Sequence, residues 1–118
     1  MDACAVCPAY GEGWSGIWSV VSIPSSVKTI ELDVVKEDAH DGGVRVLIMP
    51  KDKITGDLLS ETIVTQGPHH ISCVIPDTYK SQQARIQIEV VGAGNIGGCP
   101  CEGPCCSEYV GINKVSII

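Results

Sequence analysis

The sequence predicts an all-β fold, a two-sheet antiparallel sandwich. Short apolar runs with period two alternate with turn residues at intervals of about 8–12 residues, the rhythm of a sandwich or barrel. No segment of ten or more residues shows the apolar stripe of an amphipathic helix. Phe is absent and Trp and Tyr together number only five, so the 44% hydrophobic content implies an aliphatic core built on the β-branched formers Val and Ile.

The runs follow one another in order. IWSVVSI (17–23) ends at Pro24-Ser25-Ser26. VKTIELDVVK (27–36) sets Ile30, Leu32 and Val34 on one face and Thr29, Glu31 and Asp33 on the other, as in a half-buried antiparallel strand. EDAHDGG makes a polar loop, and GVRVLIM (43–49) then aligns Val44, Val46 and Ile48. LLSETIVT (58–65) alternates less cleanly. After the break at Gln66-Gly67-Pro68, HHISCVI (69–75) aligns Ile71, Cys73 and Ile75. Pro76-Asp77-Thr78 opens a loop with one helical turn through TYKSQQ, and ARIQIEVV (84–91) turns Ala84, Ile86, Ile88 and Val90 inward. In the closing run SEYVGINKVSII, Val110 and Ile112 fall on one parity and Val115 and Ile117 on the other, which predicts a bulge near Asn113-Lys114.

The organisation is an N-terminal arm and spacer (1–16) followed by one sandwich domain (17–118) that carries a Cys-rich loop (97–107). A domain of this length buries enough surface to fold unaided, because staples become necessary below roughly 40 to 80 residues. The net charge of −6, with eight scattered Lys and Arg, excludes the basic stripe that binds nucleic acid or anionic membrane. No stretch approaches the ~20 apolar residues of a membrane span. MDACAVCPAYGEGW has neither a basic n-region nor an apolar h-region, so it does not read as a signal peptide.

From Val27 onward, the strands TIELDVV, TGDLLSETIVT, ARIQIEV and YVGINKVSI resemble the series of a galactose-binding-like jelly roll. That resemblance implies a jelly-roll winding of the sandwich. The cysteine-bearing arm, the Gly-containing spacer GEGWSG and the body are similar in layout to the fibre subunits of bacterial endospore appendages. In that family the arm of one subunit forms disulfides with its neighbours. Carried over, the resemblance implies Cys4 and Cys7 as arm thiols and Cys99, Cys101, Cys105 and Cys106 as receivers. The family favours an adjacent Cys-Cys pair in the arm; here the arm holds C-x-x-C and the adjacent pair is Cys105-Cys106.

Read from the residues alone, Cys73 is a buried core thiol, and the other six cysteines admit three uses. They can form disulfides within one chain, tying the arm to the loop. Cys4, Cys7, Cys99 and Cys101 can form a structural Cys₄ zinc site, zinc being the one cofactor the sequence suggests. Or the six can cross-link subunits, since a domain that folds unaided gains little from staples while a head-to-tail link propagates as a filament. The last is the expectation carried forward: a non-enzymatic, self-assembling subunit, partnered by its own copies, at an extracellular, cell-surface or spore surface.

Other chemistry is weaker. C-A-V-C is followed by Pro8, Gly11 and Gly13 rather than by the helix a thiol-disulfide catalyst needs. Trp14, Trp18 and Tyr109 offer glycan contacts, against a role for the Trp pair in covering the core. Glu37, Asp38 and Asp41 lack EF-hand spacing and read as a solvated loop with His40. His69 and His70 alternate along a strand and therefore point to opposite faces.

Overall fold

Strand alternation decides which side chains are drawn into the core, and the strands then pair wherever their apolar faces coincide. The computed structural model describes residues 15–37, 42–92 and 110–118. They form β1 (Ser15–Ile23), β2 (Thr29–Lys36), β3 (Gly42–Pro50), β4 (Asp57–Val64), β5 (Gly67–Val74), β6 (Gln82–Gly92) and β7 (Val110–Ile117). All pairings are antiparallel. A four-stranded sheet runs β1-β6-β3-β4 and a three-stranded sheet runs β5-β2-β7. The expected two-sheet antiparallel sandwich is therefore present, with β1 starting two residues before the predicted Ile17.

The predicted inward rows meet between the sheets. Ile30, Leu32 and Val34 of β2 face Val44, Val46 and Ile48 of β3, and all six are buried. Ile71 and Cys73 join from β5, Ile75 from the residue just after it, and Ala84, Ile86 and Ile88 from β6. Val90 was expected to end that last row; it is only half-buried, and Val91 is buried instead. Lys36 extends the β2 row and is fully buried, which alternation alone does not predict for a charged residue.

Two bulges adjust the rows. In β7, Lys114 pairs with Asp33 and Ile112 with Val34, leaving Asn113 as the extra residue at the predicted place. One surplus residue restores parity, so Val110, Ile112 and Ile117 all pack on the core. In β4, Ser60 pairs with Val46 and Leu58 with Leu47, so Leu59 is surplus. Its bulge explains why that run alternates poorly.

In place of the helical turn expected through TYKSQQ there is a single 3₁₀ turn at Asp77–Tyr79, and Gln82 and Gln83 already belong to β6. Ser81 follows with φ 62°, a left-handed residue that turns the chain into β6. Tyr79 is buried and donates from its hydroxyl to Asp57 Oδ2 at 2.8 Å, fixing this loop to the start of β4.

Candidate functional site

Among the described residues, β1, β4, β5 and β7 lie at the sheet edges, and they differ in chemistry. An exposed strand edge is a row of unpaired amides and carbonyls that pairs with another chain unless charge, proline or a bulge prevents it. β4 carries Asp57, Glu61 and its bulge. β5 carries Pro68, and β7 carries Lys114 and its bulge. β1 has none of these devices. SGIWSVVSI is uncharged and free of proline, and its register with β6 is unbroken from Ser15↔Val90 to Ile23↔Gln82.

β1 is also apolar and open. β4 lies near β5 and β3 near β7, so the three-stranded sheet stops short beneath β1. The inward side chains Ile17, Ser19 and Val21 are left over a cleft shared with Ile86 and Ile88 of β6 and with Val115 and Ile117 of β7. Ile17 is 49%, Trp18 55% and Val20 39% exposed, although Ile17 points to the core side of its sheet. Gly16 allows β1 to lie close on β6, since a Cβ there would stand 1.9 Å from the Ile88 carbonyl oxygen.

Trp18 is on the outer face. It does not cover the aliphatic core as the sequence suggested; the Arg85 guanidinium stacks 4.1 Å from its ring centre. Arg85 Nη2 donates to Gln87 Oε1 at 2.6 Å, and Gln87 Nε2 donates to Glu89 Oε2 at 2.6 Å. Arg45 pairs with Glu61 at 2.7 Å and approaches Glu89 at 4.0 Å. This ladder crosses the sheet from its β1 edge to its β4 edge and holds the Trp18 ring in place.

The outer face of the other sheet carries a second cluster. Cross-strand register sets His70 opposite Asp33 and Ser72 opposite Glu31. His70 Nδ1 lies 2.7 Å from Asp33 Oδ1, and Nε2 lies 2.6 Å from Glu31 Oε1. Both neighbours are carboxylates that accept, so both ring nitrogens donate when the ring is protonated, and the pair of acceptors favours the imidazolium form. Asp33, then Glu31, accordingly raise the His70 pKa above 6.5. Ser72, which donates to Glu31 Oε2, is the largest influence lowering the Glu31 carboxyl to about 2, followed by His70 and Thr29. No group of three or more His, Cys, Asp or Glu side chains placed to hold a metal ion occurs among the described residues. His69, as expected, lies on the other face, with Nε2 2.8 Å from the Thr65 carbonyl.

Cys73 is a free thiol, 3% exposed, whose pKa burial pushes up. Cys4, Cys7, Cys99, Cys101, Cys105 and Cys106 lie outside the described residues, as do Trp14, Tyr109, Asp38, His40 and Asp41. No helix among the described residues is long and apolar enough to cross a membrane. No family model, curated protein or solved structure matches the chain.

Proposed function

We propose that the chain is a structural, non-enzymatic subunit that assembles with its own copies into a filament at an extracellular, cell or spore surface, with disulfides locking the contacts. Cys4 and Cys7 supply one thiol of each disulfide and Cys99, Cys101, Cys105 and Cys106 the other, the two protons and two electrons lost per bond passing to an oxidant such as dioxygen. The body is a jelly roll, a reading favoured by the pairing of β1 with β6 and of β2 with β7, which joins early strands to late ones. The observation that carries the assembly reading is the β1 edge: apolar, uncharged and unbulged, where the other three edges are blunted. Such an edge is a liability in a monomer and an asset in a polymer.

The test is a gel of oxidised protein with and without reductant. High-mass species that collapse to 12.5 kDa on reduction are expected. A monomer in both lanes contradicts the reading; if that monomer also holds zinc, the four-cysteine metal site takes its place. A second reading, glycan binding, is favoured by the exposed ring of Trp18. It predicts retention on an immobilised glycan that is lost in Trp18→Ala.

A further inference from the structure

We infer that β1 pairs with β1 of a second copy, antiparallel about a two-fold axis through Ser19, so that the unit of assembly is a dimer with one continuous eight-stranded sheet. This deepens the assembly reading and rests on it, because β1 is taken as the adhesive edge.

Three features select β1 itself as the partner. Each other edge carries a device that resists pairing: Asp57 and Glu61 with a bulge on β4, Pro68 on β5, Lys114 with a bulge on β7. β1 carries no charge, so pairing it with itself brings no like charges together, which would be costly directly opposite one another. And the strand is complementary to its own reversal.

Opposed residues in an antiparallel pair lie on the same face, so the axis must pass through a residue position and not between two. Full overlap of the nine residues Ser15–Ile23 places it at Ser19. Ile17 then meets the partner's Val21 on the inner face, and Trp18 meets the partner's Val20 on the outer face. Aromatic and β-branched cross-strand pairs of this kind stabilise sheets. The three exposed apolar side chains Ile17, Trp18 and Val20 all gain neighbours, and the two apolar clefts come to face each other across the axis. Such a contact is isologous and closes at two, leaving propagation to the cysteines.

Measurements in reductant separate this inference from the disulfide reading. Reduced wild-type protein is expected to sediment at twice 12.5 kDa and to stop there as concentration rises. Ser19→Lys and Ser19→Glu each set like charges face to face at the axis and should weaken the dimer at least about tenfold in Kd. Mixing the two variants should restore it, because a lysine then faces a glutamate, and Ser19→Thr should leave it intact. Far-UV circular dichroism and the denaturation midpoint check that each variant folds. Amide exchange of wild-type β1 supplies a reading independent of any variant: the amides pointing away from β6 should be protected in the dimer. Reduced protein that stays monomeric, that grows past two, or whose charge variants fail to rescue each other overturns the inference. A reduced dimer whose oxidised gel shows no high-mass species overturns the disulfide reading alone.

Discussion

Among single side chains, His70 of β5 bridges two carboxylates of β2, Glu31 and Asp33. Its raised pKa means that its contribution to stability is complete below 6.5 and fades as pH climbs through the raised value. Glu31, lowered to about 2, contributes fully above its ordinary 4.5 and loses that contribution as pH falls toward about 2. The cluster is therefore whole between roughly pH 4.5 and 6.5. A proton NMR titration should place the His70 imidazole above 6.5, with Asp33→Asn and Glu31→Gln each lowering it; no change in either variant would contradict the geometry. Cys73 should resist alkylation in the folded state and react on unfolding, since it is buried and its thiol pKa is raised. At the centre of the core, Ile48→Ala should cost about 2–5 kcal/mol by denaturant titration. The burial of Cys73 is legible in its alternation with Ile71 and Ile75. The bridging by His70 is not, because it depends on a register that sets His70 opposite Asp33, 37 residues away.

The strands show where local pattern is enough and where it fails. β2, β3 and β6 alternate so strictly that their inward rows can be named from sequence, apart from the shift of burial from Val90 to Val91. The parity break in β7 foretells its bulge, and the consequence is testable. Deleting Asn113 leaves VGIKVSI in unbroken alternation, so the variant should fold with its register kept and its stability within about 1 kcal/mol of wild type. Ile117→Ser instead removes a core-packed side chain from the same strand and should destabilise the domain clearly. A large loss in the first variant, by thermal melt, would contradict the assigned bulge. β4 hides its bulge because Leu58 and Leu59 are both apolar, and either could be the residue that points inward. Lys36, Gln87 and Glu89 are buried for reasons of three-dimensional neighbourhood that no periodicity encodes. Gly16 is likewise silent in sequence; Gly16→Ala should lift the start of β1 from β6, read as faster amide exchange over residues 15–17.

Over the whole molecule, a net charge of −6 and an uncharged adhesive strand pull in opposite directions. If copies attract at β1 as proposed while their net charge repels, association should strengthen from about 0.01 M to 0.15 M salt as screening shortens the repulsion. Weaker association at higher salt would mean that ion pairs, not β1, hold the copies together. The sandwich class could be read from sequence because its rules are local, one turn and one alternating run at a time. The open edge could not, since it exists only once a four-stranded sheet overhangs a three-stranded one. Cys4, Cys7, Cys99, Cys101, Cys105 and Cys106 lie outside the residues that form the described core, in which Cys73 is the only cysteine. In the proposed reading, that separation leaves them for contacts between chains. Reduced subunits of normal and heavy isotope, mixed, oxidised and digested, would show by mass which chains each disulfide joins. The account predicts peptides holding Cys4 or Cys7 bonded to peptides holding Cys99, Cys101, Cys105 or Cys106, with mixed-isotope pairs as abundant as same-isotope pairs. Disulfides found only within chains of one isotope would contradict it.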